Sequence, residues 1–174
     1  MSTDTAPATP AADAPTYVLE RTFDAPRAMV WRTWTEPALL ARWYGPNVET
    51  VIHALDVRPG GAWLNEMRMA NGSGYQRADY LEVTPPEKLV MLMATTDKDW
   101  VITPNPMMPD WPRVLLTTVT FEETGGTTRM RLTWTPHDAT EAERACFAQA
   151  LAGLDSGWGG GMELLAKLLD ELQG

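Results

Sequence analysis

Seven segments of the chain are rich in strand-forming residues, and most of them alternate apolar with polar positions, which predicts β-strands. In the last segment, Met130, Leu132 and Trp134 share one face, whereas Arg129 and Arg131 share the other. One apolar and one polar face are typical of an antiparallel sheet. The predicted strands cover residues 16–23, 47–57, 62–69, 73–83, 88–96, 113–122 and 127–135.

Turn signals separate these segments. Asn71 and Gly72 stand between the third and fourth strands, and both tolerate positive φ angles, so they predict a two-residue hairpin turn. Glycine and proline pairs mark the other turns, at residues 58–61, 85–86 and 125–126. The strands are therefore expected to follow one another as hairpins.

Helical spacing occurs first in residues 24–46, between the first two strands. Asp24 is a good N-cap, and Pro26 suits the first turn of a helix because its missing N–H would be unpaired there. Pro37 restarts the chain as a second short helix, and Gly45 ends it. Two short helices rich in tryptophan need a large apolar surface, which the sheet could supply.

A longer helical region follows the last strand and runs toward the C-terminus. Thr140 and Glu143 form a capping box at its start. Gly153, Gly157 and residues 159–161 interrupt it, and such glycines predict a kink or the close approach of another element. Its apolar stripe consists of Trp158, Met162, Leu165, Leu168, Leu169 and Leu172.

Residues 97–112 form a long insert between the fifth and sixth strands, with four prolines and two tryptophans. Long loops in compact domains are usually functional or mobile. Trp100, Met107, Met108 and Trp111 could give this insert an apolar underside, so we expect it to be a lid over a cavity. The same side chains would equally suit a satellite core or a dimer contact.

The charge and the composition of the chain favour some classes of function and location over others. The 174 residues carry a formal net charge of −9, which disfavours binding to nucleic acids or anionic membranes. No apolar run of about 18 residues and no signal pattern are present, so no membrane span and a cytoplasmic location are expected. We expect a disordered tail at residues 1–14 and one domain at residues 15–174. Eight tryptophans and ten methionines suit either a core or a cavity for varied ligands.

Catalytic and metal-binding motifs are absent from the sequence, and no cofactor is expected. His53 and His137 lie in separate elements, so a metal site is not expected. Cys146 is the only cysteine and suits a small buried position on the C-terminal helix. Glu66 could be a polar anchor inside an apolar pocket or an ordinary solvated residue. The alternation of its strand does not decide this, because Trp63 and Met67 occupy the opposite face.

A series of short motifs resembles one known family. The motifs are ERTFDAP at residues 20–26, VW at 30–31, WTEP at 34–37, LARW at 40–43, GP at 45–46, DVRPGG at 56–61, PPEKL at 85–89, GTTR at 126–129 and GW at 157–158. In this order they resemble the START-like (SRPBCC) superfamily, and more narrowly its branch of homologues of the activator of the heat-shock-protein-90 ATPase. The likeness extends over about residues 17–172.

The resemblance implies an α+β helix-grip fold. Its curved antiparallel sheet of about six or seven strands wraps around a long C-terminal helix, and two short helices follow the first strand. A cavity between sheet and helix is typical of the superfamily, whose members include lipid carriers, cyclases, hydrolases and chaperone partners. The chain departs from the commoner pattern in the insert at residues 97–112 and in the triple glycine after Trp158.

The first functional hypothesis is that a small apolar molecule binds in this cavity. The residues expected to contact it are Trp43, Trp63, Glu66, Met91, Met93, Trp100, Met108, Trp111, Trp158 and Met162. A second hypothesis is an enzyme of cyclase or hydrolase type, with candidates Tyr44, Tyr75, Tyr80, Glu66 and His53. A third is a module that regulates a chaperone, as a monomer or a homodimer, with a role in the stress response.

Overall fold

Residues 15–174, the part of the chain described by the computed structural model, form seven strands and three helices. The tail predicted for residues 1–14 lies outside the described residues. The strands pair in the order β1-β7-β6-β5-β4-β3-β2, every pair antiparallel, and β1 and β2 remain unpaired edges of a curved sheet. The strands are β1 Tyr17–Phe23, β2 Glu49–Leu55, β3 Ala62–Met69, β4 Gly72–Thr84, β5 Lys88–Thr96, β6 Val114–Thr124 and β7 Thr127–Pro136. The predicted α+β helix-grip fold is confirmed.

The hairpin between β3 and β4 differs by one residue from the prediction. Met69 pairs with Gly72, so the two turn residues are Ala70 and Asn71. Gly72 has a φ angle of 132°. The φ angle of Asn71 is not positive, although the predicted turn required a positive angle there. Glycine therefore provides the unusual backbone angle at the first residue of β4, just after the turn.

Helices α1 Arg27–Thr35 and α2 Pro37–Trp43 connect β1 to β2 at opposite edges of the sheet. The predicted cap at Asp24 is wrong, because Pro26 occupies the N-cap position and no side chain caps the helix. The predicted restart at Pro37 is confirmed as the first residue of α2. The two helices are joined by the Trp34 and Trp43 rings, whose centroids lie 4.8 Å apart.

Helix α3, Glu141–Gln173, is continuous across all five of its interior glycines. Its predicted capping box is present, with Glu143 N donating to Thr140 Oγ1 at 3.1 Å. The close approach of another element is confirmed at two of the glycines. A Cβ on Gly160 would lie 3.1 Å from Pro46 Cγ, and one on Gly161 would lie 3.4 Å from Trp43 O.

The core lies between α3 and the face of the sheet that carries Met130 and Leu132. Met162 and Leu165 of α3 are fully buried there, and the predicted apolar stripe of the helix faces the sheet. Within residues 15–174, no helix has both the length and the hydropathy needed to cross a bilayer.

Leu165→Ala is expected to lower the free energy of unfolding by about 2–5 kcal/mol, because the substitution leaves a cavity in a closely packed core. Urea unfolding measures the change. Leu81→Ala is the matched control, since Leu81 is 49% exposed and its truncation should stay within about 0.5 kcal/mol. Equal effects of the two variants would contradict the packing of α3 against the sheet.

Candidate functional site

A cavity of about 620 Å³ lies between the sheet and the first two-thirds of α3. The turn after α2 and the insert at residues 97–112 complete its wall. The lining residues are Trp43, Tyr44, Gly45, Pro46, Met67, Gln76, Asn105, Met108, Trp111, Trp134, Gln149, Ala150, Gly153, Leu154, Gly157, Trp158 and Gly161.

The helical side of this cavity owes its space to glycine. Gly153, Gly157 and Gly161 follow one another at every fourth residue, so they share one face of α3. A Cβ added to Gly153 or Gly157 would meet no atom within 4 Å. The missing side chains therefore leave empty volume. From the sequence, these glycines predict a kink or the close approach of another element, not a cavity wall.

Aromatic rings form much of the remaining wall. The Trp134 and Trp158 ring centroids lie 5.2 Å apart, which joins β7 to α3 across the cavity. Trp111 of the insert packs on Phe147 of α3 at 5.4 Å. The alternation of β7 predicts the face of the sheet on which Trp134 lies, but the predicted site residues do not include Trp134. Its position next to α3 depends on the packing of helix on sheet, which alternation alone does not determine.

Polar groups are few on this wall, and none of the lining residues is charged. The Tyr44 hydroxyl donates a hydrogen bond to Gln76 Oε1 at 2.8 Å. Burial raises the pKa of Tyr44, so its phenol stays protonated. The other polar groups are the carboxamides of Asn105 and Gln149 and the indole N–H groups of the lining tryptophans, of which Trp134 Nε1 has no partner among the described residues. Hydrogen bonding inside the cavity is therefore provided by neutral groups.

Four of the ten predicted site residues line this cavity, namely Trp43, Met108, Trp111 and Trp158. Met93 borders a separate pocket of about 40 Å³ beside it. The other predicted residues do not line the main cavity. Trp63, Met91 and Met162 are at most 2% exposed within the core, whereas Glu66 and Trp100 lie on the opposite face of the sheet.

Glu66 lies on that opposite face because Asn65 and Met67, its neighbours in β3, point toward the cavity side. Its side chain is nevertheless only 10% exposed. Glu66 Oε2 accepts a hydrogen bond from Ser73 Oγ at 2.6 Å, and Oε1 lies 2.8 Å from His53 Nε2. These hydrogen bonds, Ser73 first and His53 next, lower the pKa of Glu66 to about 2.

Trp100 lies beside this cluster, with its ring 5.4 Å from His53 and 5.6 Å from Tyr75.

The residues suggested for catalysis do not converge on the cavity. Of the five, Tyr44 alone lines it, and Tyr80 is buried in the core. Ser73 hydrogen-bonds to the carboxylate of Glu66 and not to His53, so these three side chains do not form an activated nucleophile. In the described part of the chain, no three histidine, cysteine or acidic residues are grouped closely enough to hold a metal ion.

Glu66→Gln is expected to destabilise the protein at neutral pH and to matter progressively less in acid. Folding lowers the pKa of Glu66, so its ionised form contributes stability above about pH 4.5 that is lost as pH falls toward about 2. Urea unfolding midpoints of the unmodified protein and of Glu66→Gln, measured between pH 7 and 3, should approach each other as the pH falls. Arg68 lies 3.3 Å from Glu66 Oε2 and 3.6 Å from Glu49 Oε1. Glu49→Gln is therefore the control, because Glu49 shares this partner but is solvent-exposed. A difference that stays constant over this range would contradict the interpretation.

Comparison with known proteins identifies the family. A profile of the family described as "Activator of Hsp90 ATPase homolog 1-like protein" matches residues 24–170. The chain belongs to this family, and the predicted resemblance, including the START-like (SRPBCC) superfamily, is confirmed. Members of this fold family often bind hydrophobic ligands. No curated protein matches the sequence significantly.

Solved structures share the fold. Protein Ms6760 from Mycobacterium smegmatis is 22% identical, with a TM-score of 0.75 over 92% of this chain and 94% of that one. A Staphylococcus epidermidis protein is 24% identical, with a TM-score of 0.73 over 90% of each chain. Protein NE0264 from Nitrosomonas europaea is 25% identical, with a TM-score of 0.70 over 94% of this chain and 98% of that one.

Proposed function

We propose that this member of the family binds a small apolar molecule in the cavity between the sheet and α3. The observation that carries the proposal is the cavity itself, which has about 620 Å³ of space and four tryptophans in an uncharged wall. Binding sites for small molecules commonly enclose about 300–1,000 Å³ and combine apolar walls with a few polar groups. The cavity has both properties.

The two alternative functions have weaker support. An enzyme acting in this cavity would need titratable groups that converge on the ligand, and Tyr44 is the single suggested catalytic group that lines it. The chaperone-regulating alternative rests on family membership. Ligand binding is favoured because it uses the space and the wall that the described residues form.

The insert at residues 97–112 is proposed to act as a lid. Met108 and Trp111 contribute to the wall, and Trp100 is anchored on the other face of the sheet beside His53. Asn105 Oδ1 accepts hydrogen bonds from the backbone N–H groups of Met107 and Met108, which stiffens the turn that carries them. The insert thus spans from a fixed anchor to the cavity.

Native mass spectrometry of freshly purified protein tests the proposal directly, through a co-purified ligand of small mass. Titration with N-phenyl-1-naphthylamine, an uncharged fluorescent probe, provides a second test. Probe bound beside the cavity tryptophans should quench their emission, and Trp158→Ala should alter that quenching. A protein that carries no ligand and does not bind the probe would contradict the proposed function.

Replacing residues 102–110 with a short Gly-Ser linker is expected to speed probe release while the fold is retained. The replacement removes Met108 from the wall and leaves Trp100 and Trp111 at the ends of the loop. Stopped-flow displacement of N-phenyl-1-naphthylamine measures the release rate. An unchanged rate would contradict the lid. A large loss of stability would instead favour a satellite core, and conversion of a dimer to a monomer would favour a dimer contact.

A further inference from the structure

The cavity wall disfavours the binding of charged ligand groups. Its described lining residues include no acidic or basic side chain, and Tyr44, whose pKa is raised by burial, stays neutral. A charged ligand group inside would lose hydration without gaining a counter-ion. The part of a ligand that enters the cavity is therefore expected to be uncharged.

Gln76 provides unused hydrogen-bonding capacity on this wall. Its Oε1 accepts the Tyr44 hydroxyl at 2.8 Å, which sets the orientation of the carboxamide. Its Nε2 donates no hydrogen bond to any of residues 15–174. A carboxamide nitrogen has two N–H donors. Gln76 therefore has donors available to a bound molecule.

Asn65 adds a second carboxamide next to Gln76. The two residues are direct partners in the β3–β4 register, where opposite Cβ atoms lie about 4.5–5.5 Å apart. Asn65 is 1% exposed, and neither end of its carboxamide has a partner within the described residues. It shares the cavity side of β3 with Met67. Asn65 does not itself line the cavity, so its buried carboxamide lies behind Gln76 and leaves Gln76 as the residue of this pair that faces a bound molecule.

We infer that Gln76, with Asn65 beside it, is the polar anchor that determines which apolar molecules bind. The ligand is uncharged and mainly apolar, and it has an oxygen acceptor, such as a carbonyl or an ether, that takes a hydrogen bond from Gln76 Nε2. This inference rests on the proposed function. Leaving Gln76 unpaired costs affinity, so a ligand of the same shape without the acceptor binds more weakly.

Three naphthalenes of similar size test the anchor by displacing N-phenyl-1-naphthylamine from the full-length protein. The ketone 2-acetylnaphthalene should bind about three- to tenfold more tightly than 2-ethylnaphthalene, which has the same shape and no acceptor. The anion 2-naphthoate should bind more weakly than either. In Gln76→Met, the ratio of the affinities for the ketone and the hydrocarbon should fall toward one, because the N–H donors of Gln76 are gone.

Tyr44→Phe is the second variant, and it removes only the hydroxyl that orients Gln76. The ratio of the affinities for the ketone and the hydrocarbon should decrease in this variant as well. Thermal unfolding shows that each variant is folded. Equal binding of ketone and hydrocarbon to the unmodified protein, or tightest binding of the anion, would overturn the anchor while the proposed function stands. Failure of all three compounds and of the probe would overturn both.

Discussion

The double variant Gly153→Leu/Gly157→Leu is expected to bind N-phenyl-1-naphthylamine at least about tenfold more weakly than the unmodified protein. Both positions line the cavity one helical turn apart, and a Cβ at either would meet no protein atom within 4 Å. The new side chains therefore enter the space that we assign to the ligand, with no clash at Cβ. Fluorescence titration measures the loss of affinity.

The free energy of unfolding should not decrease together with the affinity. Glycine inside a helix is about 1 kcal/mol less favourable than alanine, and leucine is nearly as good a helix former as alanine. Replacing the two glycines should therefore leave the free energy of unfolding unchanged or raise it. This combination of weaker binding and undiminished stability is characteristic of residues whose role is in binding.

Single alanine variants provide matched controls. Gly157→Ala and Gly159→Ala should each raise stability by a similar amount, since neither added Cβ would contact another residue. Gly157 lines the cavity, whereas Gly159 does not. Probe affinity should thus decrease only for Gly157→Ala. Equal affinities for the double leucine variant and the unmodified protein would show that the probe binds elsewhere.

The sequence predicted most of the fold because its local signals agree with one another. The alternation in β7 separates Met130 and Leu132 from Arg129 and Arg131, and the burial of the strand follows it. The capping box of Thr140 places the start of α3 correctly. Such signals depend on neighbours in sequence, which is why they can be read without the tertiary structure.

The candidate site was harder to predict, because it depends on which face of each strand packs against α3. In β3, both faces hold at least one large or charged buried residue, as Trp63 and Glu66 show. The alternation of β3 therefore does not show which of its two faces packs against α3. Glu66 is held by side chains of the two neighbouring strands, His53 of β2 and Ser73 of β4. Trp100 reaches the same face from a backbone with a φ angle of 65°. Neither arrangement has a local signal.

Trp43→Ala is expected to lower the free energy of unfolding by about 3–5 kcal/mol, since a large buried ring would be replaced by a cavity. Trp43 is 1% exposed, its Nε1 donates to the carbonyl of Thr33 at 2.8 Å, and its ring contacts Trp34. It also lines the cavity between the sheet and α3, and its carbonyl approaches Gly161 of α3. It thus joins the helix pair to the site.

Trp43→Phe distinguishes the contribution of the aromatic ring to stability from that of its hydrogen bond. Phenylalanine keeps an aromatic side chain against Trp34 but leaves the carbonyl of Thr33 without its donor, which should cost about 1–3 kcal/mol. Urea unfolding of both variants measures the two contributions. A phenylalanine variant as unstable as the alanine variant would mean that the hydrogen bond dominates. A loss below about 1 kcal/mol in Trp43→Ala would contradict the tight packing of α2 between sheet and α3, and with it the position of this cavity wall.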